Sequence, residues 1–105
     1  MYAQLEASLV KKILKKLRDQ GGFWVKLKGS VDQQRGLPDI IGCYYGYWFS
    51  FEVKRPGEDL TPLQAFTLQQ IKKAGGVSSM INSFEEANEL IRERLRSREA
   101  TRPEA

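Results

Sequence analysis

The sequence predicts an α/β (α+β) domain in which a mixed central sheet is flanked by helices, in the order α-β-β-β-α-β-α. Three observations predict it. An apolar stripe with helical spacing opens the chain. Three short segments of strand character follow, with only loops or tight turns between them. A helix with clear start and stop signals then separates the third strand from a fourth. Strands joined by turns pair antiparallel, whereas a strand-helix-strand unit can return its second strand parallel, so the sheet is expected to be mixed.

Residues 2–19 read as a helix, because Leu5, Leu9, Ile13 and Leu17 recur every four positions and Val10 and Leu14 widen the stripe. Gly21 and Gly22 stop it. Phe23 to Lys28 alternate as a strand, with Trp24, Lys26 and Lys28 on one side. Residues 29–38 form a polar loop closed by Gly36 and Pro38. Asp39 to Tyr45 is a second strand. Gly46 turns the chain into a third, Tyr47 to Lys54, and Arg55-Pro56-Gly57 breaks it. Thr61 at the N-cap and Pro62 at the first helical position start a helix that runs to about Ala74 and stops at Gly75-Gly76. Val77 to Ile81 is a short apolar strand. Ser83, followed three residues later by Glu86, starts the last helix, which is expected to reach about Arg98. Residues 1–98 thus read as a single domain and 99–105 as a frayed tail.

Composition narrows the chemistry. The 105 residues, 41% apolar and 29% charged, suit one soluble globular core. No apolar run approaches the roughly 18 residues of a membrane helix, and residues 1–20 hold too many lysines for a secretory signal. A single cysteine, Cys43, forbids an internal disulfide, and there is no histidine. His- and Cys-based dyads and zinc sites are therefore excluded. Any metal must be held by oxygen, which points to Mg²⁺ or Mn²⁺. The net charge of +4 and the pI near 9.3 fit a polyanionic partner. The expectation is a cytoplasmic protein, bacterial or viral and acting in the host cell, with no membrane partner and no organic small-molecule cofactor.

Several residues are costly where they stand. On a helical wheel Glu6 sits near the middle of the apolar stripe, where an unpaired carboxylate is unfavourable. The bland alternative is a carboxylate that frays outward near a helix N-terminus. Lys11, Lys12, Lys15 and Arg18 occupy the opposite face, which is either solvated or a nucleic-acid contact. Asp39 and Glu52 fall near the open end of one hairpin and could chelate a hard cation. Lys54, two residues after Glu52, shares its face, where an ammonium can position water and balance charge on a phosphate. A plain Glu–Lys surface pair is the alternative, but the bulky residues on both sides of this strand argue that both faces are covered. Gln64 completes a capping box with Thr61, which alone would justify it. Cys43 reads most simply as a small core residue, and the two tryptophans as core. Tyr44, Tyr45 and Tyr47 are either an exposed turn or a contact surface.

Gly36-Leu37-Pro38-Asp39-Ile40-Ile41-Gly42, then Phe51-Glu52-Val53-Lys54-Arg55-Pro56, then Leu60-Thr61-Pro62-Leu63-Gln64, together resemble the VRR-NUC domain. That family belongs to the PD-(D/E)xK nuclease superfamily and is similar to archaeal Holliday junction resolvases. The resemblance covers residues 5–90 and implies a restriction-endonuclease-like core. It implies that Asp39, Glu52 and the backbone carbonyl of Val53 hold Mg²⁺ or Mn²⁺. Lys54 would orient the nucleophilic water and stabilise the pentavalent state. Glu6 would reach the metal through a water or hold a second ion. Gln64 would support Lys54 or contact the scissile phosphate. Ser30, the one hydroxyl residue in the 29–38 loop, and Arg35 become DNA-contacting candidates, alongside Lys11, Lys12 and Lys15. Minimal members of the family imply a homodimer that presents two sites to branched DNA.

The leading expectation is thus a metal-dependent, structure-selective DNA endonuclease that cuts four-way junctions as a homodimer. The same site could instead serve flaps, nicks or other branched or duplex DNA. A catalytically inactive DNA-binding module is the third reading. A small interaction protein is the fourth, and it leaves Glu6 and the Asp39–Glu52–Lys54 group unexplained.

Overall fold

The computed structural model describes residues 2–29 and 34–101. Its elements are α1 (Tyr2–Asp19), β1 (Phe23–Lys26), β2 (Ile40–Tyr44), β3 (Tyr47–Val53), α2 (Pro62–Lys73), β4 (Val77–Ile81) and α3 (Phe84–Thr101). The order and type match the sequence expectation. The last helix runs past Arg98 into residues read as frayed, to Thr101. Among the described residues no helix is long and apolar enough to cross a membrane.

One sheet runs β1-β2-β3-β4. The first two pairings are antiparallel and β3–β4 is parallel. The β2–β3 hairpin closes through Tyr45 and Gly46, both left-handed at φ 52° and 82°. That combination is the two-residue turn whose twist matches the flanking strands. Tyr44 therefore pairs with Tyr47 and Ile40 with Phe51.

The sheet has two unlike faces. Trp24, Ile40, Phe49, Phe51, Val53 and Ile81 point to the side covered by α1 and α3, where they meet Val10, Ile13, Leu14, Leu17, Ala87 and Ile91 in one core. Trp24 lies across Gly42. A Cβ on that glycine would stand 2.2 Å from the indole Cε3, so the glycine is demanded by packing. Trp24 also stacks near Phe49 and Phe51, with ring centroids 5.8 and 6.1 Å away.

The other face is covered only in part. Helix α2 packs on β3 and β4, where Leu68 is buried and the Ser78 hydroxyl donates to the Leu68 carbonyl at 2.5 Å. Over β1 and β2 the sheet stays open, which corrects two expectations. Cys43 is exposed, because the alternation that buries Ile40 turns Cys43 to the open side. Trp48 is 44% exposed; its Nε1–H donates to Ser50 Oγ at 2.6 Å and its ring lies against Gly76. Phe23, Leu63 and Phe66 are exposed as well, and Leu5 protrudes from the first turns of α1.

Candidate active site

The site forms where β2 begins and β3 ends. Continuing the β2–β3 register one position past Ile40↔Phe51 sets Asp39 opposite Glu52. Both side chains then leave the sheet on the α2 side, and Lys54 follows on that side, two positions further on. Glu52 is 3% exposed and Lys54 9%, so the strand holds its charged pair inside the protein. Glu6 reaches the same place from α1, the helix that covers the opposite face. Carboxylate oxygens of Glu6, Asp39 and Glu52 lie within 4.8 Å of one another. The residue that was anomalous on the wheel of α1 therefore meets two other carboxylates rather than the apolar core.

Backbone groups fix the cluster. The Val53 N–H donates to Asp39 Oδ2 at 2.8 Å, and the Leu27 N–H donates to the Asp39 carbonyl at 2.9 Å. Within an extended strand the N–H and C=O of one residue point to the same edge, so the Val53 carbonyl also faces Asp39. The Lys54 N–H points the other way, to the Ile81 carbonyl at 2.9 Å, and the Asn82 side-chain amide donates to the Lys54 carbonyl at 2.8 Å. Sequence reading did not single out Asn82. A polar residue between an apolar strand and a helix cap looks like a turn, and only the parallel register brings it beside Lys54.

Helix α2 closes one wall. The Thr61 hydroxyl accepts from the Gln64 N–H at 3.2 Å, and Gln64 Oε1 accepts from the Thr61 N–H at 2.9 Å, the reciprocal cap that the sequence predicts. The same amide donates through Nε2 to Glu52 Oε1 at 3.2 Å. Its structural and site-facing roles coexist because its two ends serve different partners. Gly36 brings the loop against α2. It is left-handed at φ 80°, and a Cβ there would meet Leu63 Cγ at 2.7 Å and Thr67 Oγ1 at 3.1 Å. The resulting cavity, about 240 Å³, is lined by Arg35, Gly36, Pro38, Asp39, Glu52 and Gln64 among others.

Electrostatics follow from this crowding. Burial, and next the neighbouring Asp39, push the Glu52 carboxyl up to about 8. Burial also raises Glu6, followed by the charges of Glu58 and Asp39; Lys54 and Arg55 act in the opposite sense. Negative charge gathers here faster than the local cations offset it. A cation held by oxygen would relieve that. Ligands on opposite sides of Mg²⁺ lie about 4.2 Å apart, so the observed spacing needs only a small adjustment. The residues present fit a hard divalent ion.

The remaining candidates divide. Arg35 is exposed on the cavity rim. Ser30 lies outside the described residues. Lys11, Lys12 and Lys15 are exposed on α1 and stand apart from the carboxylates, roughly 7–14 Å further along the helix axis than Glu6. Lys15 pairs with Asp19 at 3.0 Å on the open surface. Arg18, on the same side, donates from Nε to the Trp24 carbonyl at 3.1 Å and so braces β1.

No family model matches the chain, and no curated protein matches it by sequence. Among solved structures it is similar to a chain described as a VRR_NUC domain. The two share 25% identity with a TM-score of 0.68, over 83% of this chain and 94% of that one. Fold and carboxylate cluster define the class, a nuclease domain with a restriction-endonuclease-like core. Within it, the chain resembles the VRR-NUC domain, in line with the resemblance carried by the residues from Gly36 to Gln64.

Proposed function

We propose that this chain is a metal-dependent, structure-selective DNA endonuclease that hydrolyses phosphodiester bonds and resolves four-way (Holliday) junctions as a homodimer. The carrying observation is the meeting of Glu6, Asp39 and Glu52 at the end of the strand that bears Lys54. Asp39, Glu52 and the Val53 carbonyl are the ligands we assign to Mg²⁺ or Mn²⁺, with Glu6 beside them. Bound there, such an ion would supply Lewis acidity toward the phosphate and make water a better nucleophile. Lys54 orients the attacking water, whose oxygen forms the new bond to phosphorus as the ester oxygen leaves. Its ammonium balances the charge that builds on the phosphoryl oxygens. Gln64 holds Glu52 in place and faces the incoming phosphate. Arg35, with Ser30 in the same loop, would bind the DNA backbone at the cavity rim, and Lys11, Lys12 and Lys15 would contact it further along.

The homodimer reading draws support from apolar side chains left exposed on two elements, Phe23 on β1 at 67% and Phe66 on α2 at 60%. Two sites are also what paired cuts across a junction require. The proposed setting is the cytoplasm of a bacterium or of a virus-infected cell.

The test is cleavage of a labelled four-way junction beside linear duplex and single-stranded DNA, with Mg²⁺, Mn²⁺ or EDTA. Paired symmetric cuts in the junction, stopped by EDTA and abolished by Glu52→Ala with DNA binding intact, are expected. Cuts at flaps or nicks alone, or in every substrate, would keep the nuclease and discard the resolvase. DNA binding without cleavage under any divalent metal would leave a binding module, and Glu52→Ala at full activity would sink the mechanism.

A further inference from the structure

We propose that Asn82 is a positioning residue for Lys54, replacing with its side chain a rung of the sheet that the fold cannot make. The inference rests on the nuclease reading of Lys54 given above. In the parallel β3–β4 ladder Val53 pairs with Ile81, so the next position pairs Lys54 with Asn82. The Lys54 N–H completes its rung to the Ile81 carbonyl at 2.9 Å. The following rung would run from the Ser83 N–H to the Lys54 carbonyl. Ser83, however, leaves the strand to cap α3: its hydroxyl accepts from the Glu86 N–H at 3.2 Å and its carbonyl from the Ala87 N–H at 3.3 Å. The Asn82 amide fills the position instead, donating to the Lys54 carbonyl at 2.8 Å.

Asn82 is itself anchored. Its backbone N–H donates to Glu86 Oε2 at 3.3 Å, so the first turn of α3 holds the residue that holds Lys54. Peptide groups on both sides of the Lys54 Cα are thereby tied to the β4–α3 junction. Lys54 is the last buried residue before the exposed Pro56–Asp59 stretch, where an untethered strand end would swing. A side chain that must meet a transferring phosphate gains from a fixed Cα, since small misplacements of a catalytic group slow the reaction strongly. Asparagine meets the need because it combines an N–H donor with a short stem. Aspartate of the same shape presents only acceptors to the carbonyl when ionised.

The experiment compares Asn82→Asp and Asn82→Ala with the wild-type chain, Lys54→Ala and Ser78→Ala. Ser78→Ala removes a buried hydrogen bond, to the Leu68 carbonyl, that involves none of the carboxylates, and it controls for lost stability. Single-turnover cleavage, KM for DNA, the Mn²⁺ dissociation constant and the melting temperature are measured for each, with rates corrected for folded fraction. Both Asn82 variants are expected to lose at least tenfold in kcat, with KM and Mn²⁺ affinity within twofold of wild type. Ser78→Ala should melt earlier and cut at the wild-type rate. An active wild type, an inactive Lys54→Ala and Asn82 variants within twofold in kcat would overturn the positioning role alone. So would a kcat loss matched by equal losses of Mn²⁺ and DNA affinity, which would mark general loosening. A Lys54→Ala variant that cuts normally, or a wild type that cuts nothing, would instead remove the nuclease reading and this inference with it.

Discussion

The Val53 N–H donates to the Asp39 carboxylate at 2.8 Å, across 14 positions of sequence. That bond ties the start of β2 to the end of β3 beyond the last registered pair. It leaves the second Asp39 oxygen and the Val53 carbonyl at one edge, beside Glu52. The donor is a backbone group, so only proline at position 53 would remove it, and the geometry of Asp39 is set by the sheet itself.

Glu52 should make metal-free stability depend on pH. Its folded value of about 8 stands above its ordinary value of 4.5. The folded state therefore binds the proton more tightly than the unfolded chain. The contribution is complete below the unfolded value and fades as pH rises through the folded one. Thermal melts in EDTA should fall from about pH 5 to about pH 9, and Glu52→Gln should flatten the slope. Divalent metal should bind more tightly as pH rises through the same window, with a proton released. Calorimetry in two buffers of different ionisation enthalpy reads that proton; an unchanged heat would contradict the raised value.

Gln64 allows its two roles to be separated. Gln64→Ala removes both the return arm of the cap and the donor to Glu52, so stability should drop by about 0.5–1 kcal/mol together with activity. Gln64→Glu keeps an oxygen for the Thr61 N–H but sets a second carboxylate where Glu52 had a donor. Its cleavage rate should fall about tenfold near neutral pH with most of the helix-cap stability retained. Equal stability losses in both variants would show that the cap needs the amide itself.

Gly42→Ala should destabilise the fold without touching the carboxylates. The added methyl would need to displace the Trp24 indole, which is 2% exposed and packed on Phe49 and Phe51. Overpacking of this kind costs about 1–3 kcal/mol. Urea unfolding followed by tryptophan fluorescence measures it. A variant as stable as wild type would mean that both the indole and the Phe23 carbonyl, which the methyl would also crowd, can shift at little cost.

Much of this protein is local and was legible in its residues. The spacing of Leu9, Ile13 and Leu17 makes α1, Thr61-Pro62 with Gln64 makes the start of α2, and the alternation around Phe49 and Phe51 makes β3, because period and capping act over a few residues. Glu6 stood out as a misplaced charge, and the motifs around Asp39, Glu52 and Lys54 marked the site. Non-local matters were decided only by tertiary structure. Which face of the sheet α2 covers exposes Cys43 and half of Trp48, against the expectation that apolar strand residues are core. The crossing of α1 over the sheet carries Glu6 to Asp39 and Glu52, and the parallel pairing of β4 brings Asn82 to Lys54. Each depends on contacts between segments far apart in the chain, whose register is set by burial of whole faces rather than by any neighbouring residue.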